Sequence, residues 1–184
     1  MADLSATRSQ PQFSAGDWLR MLPAATRFIL QGGPQACAAV SAAFGVPLSE
    51  SACRANARSG RAALWLGPDE YLLLAPAEDA QTLTTTLNVA LADVAHSLVD
   101  VSHRQVALQV SGPHATAILN TGCPLDLGLA AFPAGMCTRT VLAKAEIVLW
   151  RRSADEFQLE VWRSFADYAA RWMTEAAQDF VATG

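Results

Sequence analysis

Acid–base, metal or nucleophilic chemistry in this chain would have to be built from three histidines, four cysteines and thinly spread acids. His96, His103 and His114 form no His-x-x-x-His or His-Glu-x-x-His pair, so no metal site is expected. Cys37, Cys53, Cys123 and Cys137 stand at wide, unequal spacings without a Cys-x-x-Cys step, and they read as small buried hydrophobes. The densest polar cluster is Asp100-Val101-Ser102-His103-Arg104, where an imidazole beside a carboxylate and a hydroxyl could move protons. Period-two alternation gives a plainer reading: Asp100 and Ser102 leave one face of a strand end while Val99 and Val101 fill the other. No serine, cysteine or lysine has a base beside it that would make it a nucleophile.

Two Gly-Pro steps, Gly33-Pro34 and Gly112-Pro113, could offer helix N-terminal donors to a phosphate. Proline removes one donor, however, and neither Gly-x-Gly-x-x-Gly nor Gly-Lys-Ser/Thr is present. Close packing of helix on strand explains them better, and His114 then falls exposed in the first turn of a helix. Arg104, Arg151 and Arg152 are the cations that could hold a small acid in a groove. Of the tryptophans, Trp65 and Trp172 are expected in the core, and Trp18 or Trp150 on a partner surface. No catalytic, cofactor-binding or metal-binding residue is assigned to this chain.

Hydrophobic residues make up 52% of the 184 residues and charged residues 16%, with a net charge of −4. That balance excludes a polyanion partner, because neutralising phosphates takes clustered Lys and Arg. Charge this scarce implies apolar patches that another protein covers. An alanine-rich composition with twelve arginines to the single Lys144 accounts for part of it. No run of about 18 apolar residues occurs, and the polar stretch from Met1 to Gln12 lacks the apolar core of a signal peptide. A cytoplasmic protein is expected.

These residues must be positioned by an α+β fold. Residues 1–20 read as a flexible tail, and 21–184 as one domain of two repeated halves, about 21–98 and 99–184. The first half shows a strand at 26–31, a Gly-Pro turn, a helix at 35–44, a hairpin of 62–66 with 71–74, and a helix over 78–94 with Leu83, Leu87 and Leu91 on one face. The second half repeats the order. A strand at 106–111 leads through Gly112-Pro113 into a helix at 115–119, then come a hairpin of 139–143 with 147–150, a strand at 157–162 and a helix at 164–180. On that helix Phe165, Tyr168, Ala169, Trp172 and Met173 share one face. Asp155-Glu156-Phe157 echoes Asp69-Glu70-Tyr71, and Pro124-Leu125 echoes Pro47-Leu48. Two β-α-β-β-α units of this kind make two ferredoxin-like halves with sheets facing one core.

The blocks Leu66-Gly67-Pro68-Asp69-Glu70-Tyr71-Leu72-Leu73, Val99-Asp100-Val101-Ser102-His103-Arg104, Gly122-Cys123-Pro124-Leu125-Asp126-Leu127, Phe132-Pro133-Ala134-Gly135 and Phe157-Gln158-Leu159-Glu160-Val161-Trp162-Arg163-Ser164-Phe165 resemble the gamma subunits of heterotetrameric sarcosine oxidases. The resemblance implies a non-catalytic subunit. Its complex of alpha, beta, gamma and delta subunits would demethylate sarcosine oxidatively to glycine, with alpha the expected partner. It also implies that flavins, NAD and folate belong to alpha and beta, and zinc to delta. The family is similar in fold to the folate-binding domains of aminomethyltransferases, which carry an essential acid on a hairpin strand. Here the turn is read as Lys144-Ala145-Glu146 and the strand as Ile147-Val148-Leu149-Trp150, so that acid is expected to be missing. The alternative is a folate or small-acid binding module that retains a vestigial groove between the halves.

Overall fold

The structure is a computed structural model that describes residues 14, 15 and 17–181. Its elements are β1 (Ser14–Ala15), β2 (Leu19–Met21), β3 (Ala25–Gly32), α1 (Pro34–Phe44), β4 (Ala55–Arg58), β5 (Arg61–Gly67), β6 (Glu70–Pro76), α2 (Ala80–Ala90) and β7 (His96–Asp100). They continue with β8 (Gln105–Ser111), α3 (Ala115–Asn120), β9 (Cys137–Leu142), β10 (Ala145–Ser153), β11 (Glu156–Trp162) and α4 (Ala166–Val181). One sheet has the order β4-β5-β6-β3-β7 and the other β1-β2-β8-β11-β10-β9, with every pairing antiparallel.

The expected ferredoxin-like repeat is present with one exchange. In the first sheet β3, β5, β6 and β7 take the four positions of such a unit, with β4 added at the edge. In the second, β8, β10 and β11 take three, β9 is the added edge strand, and the fourth place is filled by β2. The two hairpins carry equivalent irregularities. Register shifts between Trp65 and Gly67 against Glu70 in one half, and between Arg151 and Ser153 against Glu156 in the other. The second helix entry differs from the first. Gly33 caps α1 at φ −70 with Pro34 at its start, whereas Gly112 sits at φ +102, a region glycine favours, and α3 begins only at Ala115.

Alternation along the strands builds three cores. Ala63 and Leu73 point to α1 and α2, while Leu64, Leu72 and Leu74 point to the other sheet. Likewise Ile147 and Leu149 pack beneath α3 and α4, while Val148 and Trp150 join the cluster between the sheets. The layers are helices, sheet, sheet, helices.

Several expectations need correction. Of the expected tail, residues 14, 15 and 17–20 are described and belong to the fold: Leu19 is fully buried and β2 hydrogen-bonds to β8. Residues 1–13 and 16 lie outside the described residues. The boundary between halves falls after Asp100, because β7 pairs with β3. The β9–β10 turn is Ala143-Lys144, with Ala143 at φ +51, so Glu146 lies within a strand opposite Val141. Trp150 is buried, since β10 is an inner strand covered on both faces. Trp172 is 38% exposed, because α4 packs through Ala166, Ala169, Ala170, Met173 and Ala177, whose small side chains let the helix approach the sheet. Val99 is 49% exposed on the edge strand β7, whose Leu98 packs against the helix-side core, while Val101, just past the strand, is buried between the sheets.

Candidate functional site

The strands that meet face to face place charged residues where an apolar core would be expected. On β3, Phe28 and Leu30 fill the helix side, which turns Arg27 and Ile29 toward the opposite sheet. On β11, Leu159 and Val161 do the same for Gln158 and Glu160. Arg27 Nε donates to Glu160 Oε2 at 2.6 Å, with both side chains almost fully buried. Gln158 Nε2 donates to Glu160 Oε1 at 2.7 Å, and Arg27 Nη1 to the Ala25 carbonyl at 3.0 Å. Desolvating two ions costs several kcal/mol each, so the pair is tolerable only because these further bonds complete it.

The ion pair separates two clefts. Glu160 lines one of about 520 Å3, together with Ile29, Leu66, Arg104, Gln105, Arg139, Glu146 and Trp162. Arg27 lines the other, of about 450 Å3. In the first cleft Arg139 makes a two-pronged contact with Glu70, Nη1 donating to Oε2 at 2.7 Å. The guanidinium holds the Glu70 carboxyl below the usual carboxylate range, and the carboxylate in turn raises the arginine. Arg104 stacks over the Trp162 ring at 5.2 Å. Gln105 Oε1 is buried there without a hydrogen-bond partner among the described residues. Both clefts are walled mainly by strands and their connecting turns, with Trp162 at the start of the 3-10 turn that leads into α4 in one and Pro76 at the start of the turn that leads into α2 in the other.

The residues singled out from the sequence are scattered. His96 is exposed on β7, its Nδ1 at 2.7 Å from the Val94 carbonyl oxygen, and His114 is exposed before α3, stacked on Phe180. Asp100 Oδ1 accepts from the Ser102 N–H at 2.8 Å, and Ser102 Oγ accepts from the Arg27 N–H at 2.9 Å. This cluster ties β7 to β3 at the crossing between sheets. His103 is exposed, and its carbonyl accepts from Arg163 Nε at 3.2 Å. Arg104, Arg151 and Arg152 do not converge. Arg151 is buried and spends its guanidinium on main-chain carbonyls, Leu127 at 2.7 Å and Phe132 at 2.8 Å among them, while Arg104 and Arg152 line different clefts. Cys123 and Cys137 are buried and Cys37 and Cys53 half-buried, all as free thiols, and burial pushes Cys137 up to about 12. Among the described residues no group of three or more His, Cys, Asp or Glu side chains could hold a metal ion.

Arg27, Glu160, Glu70 and Arg139 escaped the sequence reading. A signal was present: Arg27 interrupts Phe28-Ile29-Leu30, and Glu160 interrupts Phe157–Trp162, each at an inward strand position. A charge there calls for a partner of opposite sign.

The sarcosine oxidase, gamma subunit family matches residues 31–179. A sarcosine oxidase subunit gamma from Corynebacterium sp. (strain P-1) is 34% identical over 126 residues, which is 68% of this chain and 61% of that relative. The chain thus spans under two thirds of that relative's length. A chain of the heterotetrameric sarcosine oxidase from Corynebacterium sp. U-96, solved with pyrrole 2-carboxylate, superposes with a TM-score of 0.82 at 33% identity, covering 88% of this chain and 84% of that one. The glycine cleavage system aminomethyltransferase T from Bartonella henselae shares the fold, with a TM-score of 0.61 at 19% identity over 84% of this chain and 44% of that one.

Proposed function

The chain belongs to the sarcosine oxidase gamma subunit family, and from that premise we propose that it is the non-catalytic gamma subunit of a heterotetrameric sarcosine oxidase. Its role is to support assembly and stability of a complex that demethylates sarcosine oxidatively to glycine. One observation carries this reading: the superposition on a chain of such a heterotetramer over 88% of the present chain. The buried groups between the sheets support it, because Arg27, Glu160 and Gln158 are engaged with one another and keep no free base or acid for turnover. Flavins, NAD, folate and zinc are assigned to the partner subunits, alpha is the principal partner, with beta and delta in the same complex, and the compartment is the cytoplasm. Among the described residues no helix is long and apolar enough to cross a membrane. The test is affinity purification of the tagged chain from its native host. Co-purification of flavin-containing subunits with sarcosine-dependent peroxide production supports the assignment, and recovery of the chain without them contradicts it.

A second reading is favoured by Glu146. The residue stands on β10 just after the hairpin turn and lines the larger cleft, so a carboxylate is available there after all. A folate or small acid bound in that cleft would make the chain a binding module. Folate titrated into the purified chain, with Glu146→Gln as control, separates the two readings.

A further inference from the structure

The smaller cleft, on the Arg27 side of the buried ion pair, has an unusual lining. Four of the twelve arginines, Arg27, Arg58, Arg61 and Arg152, border it, and no carboxylate does, in a chain of net charge −4. The acids that answer these cations stand behind the walls and leave part of the charge uncovered. Arg61 is engaged through all three nitrogens: Nε and Nη2 donate to Asp79 Oδ2 at 3.0 and 2.7 Å, and Nη1 to the Phe44 carbonyl at 2.9 Å. Arg27 spends Nε on Glu160 and Nη1 on Ala25. Arg152 meets Glu156 only at 3.3 Å, between an exposed and a half-buried side chain, a contact worth little. Arg58 is exposed and, among the described residues, makes no hydrogen bond or ion pair, although it sits directly opposite Arg61 across the Ser59-Gly60 turn. Like charges facing each other on a hairpin are destabilising. An uncompensated cation kept in such a place points to use rather than to folding.

The wall adds a second, independent sign. Trp150 is 8% exposed, its indole Nε1 is buried with no hydrogen-bond partner among the described residues, and Arg152 stacks over its ring at 5.1 Å. Around these donors the cleft is apolar, with Leu22, Pro23, Leu74 and Pro76 among its residues. Its volume of about 450 Å3 is that of a small-ligand site. The charged side chains of the lining are all cations, so the matching ligand brings the negative charge.

We propose that this cleft binds a small organic anion, a carboxylate or phosphate group on an apolar body, clamped by Arg58 and Arg152 against the Trp150 wall. The site is distinct from the Glu146 cleft; the titration of the chain alone is independent of the subunit assignment, and only the titration of the complex rests on it.

Phthalate, phenyl phosphate and the neutral benzyl alcohol, titrated by calorimetry into the full-length chain and into the purified complex, test it. Binding of one or both anions in both preparations is expected, the stronger of the two identifying the acid group preferred, with benzyl alcohol at least tenfold weaker. Arg58→Ala/Arg152→Ala should weaken anion binding at least tenfold, and Arg58→Gln/Arg152→Gln repeats the test should the alanine variant fold poorly. Failure of both anions to bind, benzyl alcohol binding as tightly as they do, binding undiminished in a folded double variant, or binding lost in the complex would overturn the proposal.

Discussion

Arg27 and Glu160 form the most consequential pair of side chains, because each is buried and neither has a substitute for the other. Arg27→Met leaves the Glu160 carboxylate buried and uncompensated, which is expected to lower the unfolding free energy by about 3–5 kcal/mol in denaturant titration. The double change Arg27→Met/Glu160→Leu removes both charges and should regain most of that loss. If the single variant were as stable as wild type, the pair would not be the closed element described above. The Glu70–Arg139 contact has a pH signature. The lowered Glu70 carboxyl contributes stability that is complete above the ordinary glutamate value of about 4.3 and is lost as pH falls through its folded value. Glu70→Gln should therefore flatten the acid limb of the stability curve below about pH 4.3, and an unchanged limb would refute the contact's role. Cys137, pushed up to about 12 by burial, should resist a thiol reagent in the native protein and react only on unfolding.

Elements were legible where local pattern decides them. The Leu83-Leu87-Leu91 face, the Gly33-Pro34 helix start and the paired Asp-Glu-aromatic strand openings all stand where their spacing implies. What failed was set by tertiary partners. Nothing local in Leu19-Arg20-Met21 says that it completes the sheet of the second half; only the open edge of β8 does. On α4 the expected face holds in part: Ala169, Met173 and the half-buried Tyr168 pack on the sheet, while Phe165 and Trp172 stay exposed and Ala166, Ala170 and Ala177 complete the contact. The clefts were invisible because they depend on which face of each strand meets the other sheet, and on charges separated by 133 positions, as in Arg27 and Glu160. The β2 finding has a direct check. Leu19→Ala should cost about 2–5 kcal/mol, as for any fully buried leucine, and a cost near zero would return this segment to a dispensable tail. Gly122 gives another: a Cβ there would lie 2.7 Å from Trp172 Nε1 and 3.1 Å from the Ala143 nitrogen. Gly122→Ala is expected to lower stability by about 1–3 kcal/mol through overpacking, read by thermal unfolding.

At the scale of the molecule, scarce surface charge has a structural counterpart. Trp162, Phe165 and Trp172 are 42%, 41% and 38% exposed, and Tyr168 bridges Phe165 to Trp172 at ring separations of 6.4 Å. Two sheets packed on a shared core and joined by the buried Arg27–Glu160 pair suit a supporting role, and the subunit assignment predicts that a neighbour stabilises the chain. Binding only the folded form raises apparent stability, by about 2.7 kcal/mol when free partner stands at a hundred times the dissociation constant. The most direct test is thermal unfolding of the chain alone and mixed with purified alpha subunit, followed by size exclusion of the mixture. The account predicts co-elution with alpha and a melting temperature raised in proportion to the partner added. A monodisperse monomer that neither co-elutes nor shifts its melting temperature would contradict it.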